Sequence, residues 1–174
     1  MKKLMNRLLA PLLIAVSMFV SLAPQTAGAD AMANYLENRL VDALLRGQTY
    51  SMPTTTYVGL AVTAGSDAAC GTEVSGGSYA RVAVTSTLAN WAGTQSSGST
   101  VASSGTSGTT SNNNAITFAA PTGNWGSIVE VCVFDASTGG NVLFRTALTA
   151  SKTVNNGDAA PSFAAGALTF QIDN

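Results

Sequence analysis

The chain has 174 residues, of which 46% are hydrophobic and only 10% are charged, and it contains no histidine. After residue 29, five basic residues stand against nine acidic ones, a net charge of −4 without a basic stripe, so nucleic acid is not an expected partner. A charged fraction this low is unlike that of a charged disordered tail and fits an all-β domain whose exposed strand faces carry hydroxyl groups.

Residues 1–29 have the pattern of a cleaved signal peptide. Three basic residues come before an uncharged apolar run, and Ala27 and Ala29 stand at the −3 and −1 positions of an A-x-A cleavage site. The alternatives are an uncleaved membrane anchor, for which an apolar run of about 17 residues is barely long enough, and an accidental or engineered leader. A functional leader would make the protein secreted or attached to the cell surface.

Residues 30–47 predict a single amphipathic helix. Asn34 is placed to cap it, Glu37 follows three residues later as in a capping box, and Gly47 supplies a C-terminal glycine. An apolar stripe must be covered either by the sheet of this domain or by a neighbouring subunit. This stripe is the predicted assembly face and consists of Leu36, Leu40, Ala43 and Leu44.

Residues 48–174 predict an antiparallel β-sandwich or jelly-roll-like domain. Short runs in which apolar residues alternate with small or polar ones indicate strands, and "STGGN" and "NNGD" indicate turns between them. The predicted strands are 54–63, 80–88, 114–120, 127–136, 141–149, 152–154 and 167–173.

Residues 94–114 interrupt this pattern, because 18 of the 21 residues are Ser, Gly, Thr or Asn. Such a composition predicts a long exposed loop, and loops of this length inside a β domain are typically functional or disordered. The alternative is that part of the segment forms a polar edge strand, since threonine is well tolerated in strands.

The chain has two cysteines, Cys70 and Cys132. In an oxidising compartment they could form a disulfide. Alternatively, Cys132, which lies inside the apolar run "IVEVCVF", is a small buried residue without a partner. Both interpretations stay open, because two cysteines in a sequence do not establish their own proximity.

The sequence offers no convincing set of catalytic or metal-binding residues. It lacks the commonest general base and metal ligand, histidine, and neither cysteine belongs to a CxxC pair. The carboxylates are scattered, so we expect no enzyme, no cofactor, no metal and no small-molecule substrate. Trp91 and Trp125 stand in turn-like settings, where a tryptophan either caps the sandwich core or contacts a glycan.

From Met32 onward the chain resembles small structural proteins of tailed bacteriophages, commonly described as tail-fibre or virion structural proteins. The resemblance lies in an ordered series of segments: "MANYLENRLVDALLRGQTY", "YVGLAVTA", "GTEVSGGSYARVAV", "NWAGTQ", "TSGTTSNNNAITFAAPTGNWG", "VFDASTGGNVLF" and "TVNNGDAAPSFAAGAL". It implies a β-sandwich with an N-terminal helix, built into a virion as a homo-oligomer by non-covalent packing. It transfers no catalytic residues.

Such proteins begin at the equivalent of Met32, so the leader needs a separate explanation. A mis-assigned start or upstream fusion, a deliberate fusion to an export signal, and a phage-derived protein recruited to the bacterial surface are the three alternatives. Three functions follow: a tail-fibre or head-decoration component that forms an oligomer, plausibly a trimer, with other virion proteins; an exported adhesin or filament subunit; and a carbohydrate-binding module that contacts host-surface glycans through Trp91 or Trp125.

Overall fold

The computed structural model describes residues 32–172, so the predicted leader lies outside the described residues. These residues form one helix followed by eight strands. In chain order these are α1 (Asn34–Leu45), β1 (Thr55–Ala61), β2 (Val82–Thr85), β3 (Thr109–Ser111), β4 (Ile116–Thr117), β5 (Gly126–Phe134), β6 (Val142–Val154), β7 (Ser162–Phe163) and β8 (Thr169–Gln171). The predicted all-β, antiparallel class with one N-terminal helix is confirmed.

The main layer is a four-stranded antiparallel sheet in the order β2-β1-β5-β6, and two small sheets, β3-β8 and β4-β7, complete the sandwich. Val58 pairs with Val133 and Leu60 with Val131, so these four side chains share one face of the main sheet. That face packs against the small sheets in a single buried cluster, to which β4, β7 and β8 contribute Ile116, Phe163 and Phe170.

The other face of the main sheet is covered by the long connection between β1 and β2. Gly59 in β1 permits this close cover, because a Cβ atom there would lie 2.9 Å from the Phe134 ring and 3.0 Å from the hydroxyl of Tyr79. Strand β5 is therefore buried on both faces, which explains its almost continuously apolar sequence.

Helix α1 is shorter than predicted, and Asn34 does not cap it. The N-cap residue is Ala33, which makes no side-chain capping bond. Instead the backbone N–H groups of Ala33 and Asn34 donate to the carbonyls of Leu143 and Asp67, both at 2.9 Å. These two bonds attach the start of the helix to β6 and to the β1–β2 connection, and the second satisfies one of the N–H groups that have no partner inside the helix. Gly47 follows the helix with φ of +68°, as a C-terminal glycine requires.

Residues 94–114 do not form one exposed loop. Thr109–Ser111 is strand β3, and Asn112, which is only 1% exposed, forms a bridge with Trp91. The rest is surface loop whose turns are tied together by Gln95: its amide donates to Ser99 Oγ at 2.6 Å, and its carbonyl oxygen accepts from the N–H of Ser104 at 3.2 Å. The alternative of a partial polar strand is the one that the structure adopts.

Candidate assembly surface and its supporting framework

The predicted assembly face of α1 divides into a docked part and an exposed part. Leu36 is buried in its own domain, where the helix packs against β6, and Leu40 and Ala43 are half-buried. Leu36 is therefore not available to another subunit, contrary to the prediction. Toward the C-terminal end the helix exposes Val41, Leu44 and Leu45, which are 48%, 78% and 82% exposed. These three residues are the helix patch.

A second apolar feature lies where the main sheet meets the small sheet β3-β8. Three aromatic rings stand together here, with the Phe170 centroid 6.2 Å from that of Trp91 and 5.5 Å from that of Phe144. They border an open cleft of about 180 Å³ whose exposed surface is almost wholly apolar. This aromatic cleft is lined by Thr56, Ser86, Trp91, Thr110, Val133, Phe144 and Phe170. None of its lining residues carries a charge.

Trp125 belongs to the core and cannot contact a glycan. It is 4% exposed, its indole N–H donates to the carbonyl of Gly77 at 2.9 Å, and its ring meets those of Tyr79 and Phe118 edge-on. Burial with the indole N–H satisfied is the usual state of a tryptophan that closes a sandwich core. Of the two alternatives for Trp125, core capping is the one that the structure adopts and the glycan contact is excluded, whereas Trp91 remains half-buried at the cleft.

Cys70 and Cys132 are joined by a disulfide, with their Cα atoms 6.0 Å apart. The bond attaches the β1–β2 connection to the centre of β5. Their sulfur atoms lie 3.8 and 3.6 Å from Glu130 Oε2, and the three ligand-type groups fall within 4.8 Å of one another. Cysteine binds metals as a thiolate, so the disulfide removes the two sulfur ligands that a metal would need.

Glu130 is a buried carboxylate with a full set of partners. It is 2% exposed and accepts from the N–H groups of Gly65 and Gly71 at 3.0 and 2.9 Å. Arg145 lies 3.5 Å from its other oxygen and also pairs with Asp67. Burial opposes the charge of Arg145, but the two carboxylates outweigh it and raise the pKa of the guanidinium. This cluster connects the loop between β1 and β2 to strands β5 and β6 of the main sheet.

A second polar cluster holds the end of the sheet near the β5–β6 turn. Arg81, whose side chain is 7% exposed, pairs with Glu73 through two nitrogens at 2.8 and 2.7 Å and lies 3.3 Å above the ring of Phe134. It also donates to the carbonyls of Ala136 and Gly139. Arg81 thus joins three segments of its own chain.

The hydroxyl of Tyr79 should lose its proton at a higher pH than that of an exposed tyrosine. Burial, the largest cause, and the neighbouring Glu73 raise the pKa of its hydroxyl far above the ordinary value of 10. Because the folded pKa exceeds the unfolded one, the stability that Tyr79 contributes is complete below about pH 10 and declines as the pH rises further. We expect a tyrosinate absorbance titration with a late phase that disappears in Tyr79→Phe. Titration of all tyrosines together near pH 10 would contradict this.

These features define a class of protein: an all-β structural module whose helix exposes an apolar patch and whose polar clusters serve to fix loops. Within residues 32–172 no helix is long and apolar enough to cross a membrane. No curated protein matches the chain. A family model does match, over residues 31–171, and the chain belongs to that family, the podophage GP4 fiber I protein gp80 family. It is therefore a phage-type virion structural protein, and the resemblance read from the sequence is confirmed.

Proposed function

We propose that the protein is a non-catalytic fibre component of a phage tail that works by assembling into a homo-oligomer such as a trimer, together with other virion proteins. Membership of a phage fibre family supports this role. The observation that supports oligomer formation is the helix patch. Two adjacent leucines that are 78% and 82% exposed form a contiguous apolar surface, and such surfaces mark protein–protein contacts.

The helix patch favours assembly for a further reason. A helix of 12 residues is too short to be stable by its own hydrogen bonds, so its packing must hold it. Leu36 is its only fully buried residue, and the last turn lies outside the domain's core. A neighbouring subunit would cover that turn and stabilise the helix.

Light scattering on the purified protein tests the proposal. We expect an oligomer at micromolar concentration, and we expect Val41→Ser/Leu45→Ser to shift the population toward monomer. Val101→Ser is the control, since Val101 is also an exposed aliphatic residue (61%) but lies outside both the helix and the aromatic cleft. A monomer at every concentration, in the presence and absence of other virion proteins, would refute the oligomeric function.

The export alternative rests on the leader-like residues 1–29 and is tested by the mature N-terminus. Mass spectrometry of the native protein should find a chain in phage particles, beginning near Met32 if the leader is not used. A chain that begins at Asp30 and accumulates outside the cell without particles would instead support a secreted adhesin or filament subunit.

A further inference from the structure

We infer that the aromatic cleft is the receptor for the helix patch of a neighbouring copy, so that Leu44 or Leu45 of one subunit occupies the cleft beside Trp91, Phe144 and Phe170 of the next. This inference rests on the proposed function, since it requires that copies of the chain assemble. It names the contact that would hold them together.

The size of the cleft suits one branched aliphatic side chain. Its volume is about 180 Å³, and an engineered apolar cavity of about 150 Å³ in another protein is large enough to bind benzene. A leucine side chain is of that order of size. In the isolated chain Leu44 and Leu45 remain largely exposed, so neither of them fills its own cleft.

The chemistry of the cleft favours a side chain over a sugar. A sugar needs several hydrogen-bonding groups directed at its hydroxyls, together with an aromatic ring for stacking. The cleft has the aromatic rings, but its exposed surface is almost wholly apolar. An aliphatic side chain needs only apolar contacts to bind. Neither the cleft nor the helix patch contains a charged group that would have to be desolvated.

The patch and the cleft are two different surfaces, and this restricts the symmetry. If two copies each place the patch in the other's cleft, the result is a closed twofold dimer. If the contact is not reciprocated it is heterologous, and repeating it produces a closed ring, of which the threefold ring is the smallest, or an open filament. The inferred contact is therefore compatible with the proposed trimer.

Photo-cross-linking in the full chain tests the contact. A benzoylphenylalanine replaces Leu44, and the labelled chain is mixed with ¹⁵N-labelled chain so that links between copies are distinguished by mass. We expect links between copies to peptides that contain Trp91, Phe144 or Phe170. The same probe at Val101, which is 61% exposed in the 94–108 loop, is the control and should not link to these peptides.

A charge at the mouth of the cleft provides the second test. Ser86 is exposed and lines the cleft, so Ser86→Glu should fold normally and weaken association about tenfold or more. Ser137→Glu, at an exposed serine outside the cleft, should leave association unchanged.

The outcomes separate this inference from the proposed function. An oligomer whose links join helix to helix, or that tolerates Ser86→Glu, overturns the inference and leaves the oligomeric function intact. A protein that never associates overturns both. If Ser86→Glu leaves association unchanged but abolishes binding on a glycan array, the occupant of the cleft is a sugar and the inference is wrong.

Discussion

The variant Cys70→Ser/Cys132→Ala is expected to lose about 4 kcal/mol of unfolding free energy, which corresponds to a melting temperature roughly 10–15 °C lower. The disulfide closes a loop between residues 62 positions apart, and opening it restores that chain entropy to the unfolded state. The effect has a local cause as well, because the bond holds the connection that covers Glu130 and the outer face of β5. Alanine is chosen at position 132 because that side chain is 0% exposed and alanine adds no polar group to the core.

The control for this experiment is the wild-type protein with a reductant. Reduced wild type and the double variant should melt at similar temperatures, and the variant should not respond to reductant. Thiol titration of the native, untreated protein should find no free cysteine. Two reactive thiols, or a melting temperature that reductant does not change, would show that the bond is absent or carries no stability.

Asn112→Ala is expected to destabilise the fold by about 2–4 kcal/mol, measured by denaturant unfolding. Its amide donates to the carbonyls of Asn114 and Ala164, both at 2.8 Å, and its oxygen accepts from the N–H of Leu168 at 2.9 Å. Alanine would leave the Leu168 N–H and the Asn114 carbonyl without these partners, at a site that is 1% exposed. The Ala164 carbonyl would lose one of its two bonds, because it also accepts from the N–H of Ala167 at 3.0 Å. Each buried unsatisfied group costs about 1–3 kcal/mol.

Two further variants make this test specific. Asn112→Asp should be worse than alanine, because a carboxylate cannot donate and would face two carbonyl oxygens. Asn114→Ala should cost no more than ~1 kcal/mol, since Asn114 is exposed and its amide bonds lie at the surface. Equal effects at positions 112 and 114 would mean that the buried network is not what stabilises this segment.

Much of the fold could be predicted because each long strand shows its hydrophobic pattern within its own short stretch of sequence. The strands that alternate or run apolar, such as β1, β5 and β8, were predicted close to their observed bounds. Strand β7 was missed and β3 was expected only as an alternative, because three polar residues and a two-residue strand after a proline show no periodicity. Their pairing partners, β8 and β4, define them as strands.

The faces of β5 could not have been predicted from alternation alone. Ile128 and Glu130 are two residues apart and would share a face in a regular strand. A register shift lies between them, so Ile128 packs in the main core while Glu130 joins Cys132 on the other face. Bulges commonly redirect a side chain in this way, and nothing in "SIVEVCVF" marks the position of this one.

Sequence by itself determined the class of this protein: a charge-poor, antiparallel β domain with one amphipathic helix, resembling phage fibre proteins. These properties follow from composition, period and residue order, which act over short stretches of chain. Only the tertiary structure decided which half of the helix stripe stays exposed, that Trp125 is buried while Trp91 borders a cleft, and that one asparagine among three lies in the core. The burial of a residue depends on which distant parts of the chain pack against it, and the sequence around that residue does not show this.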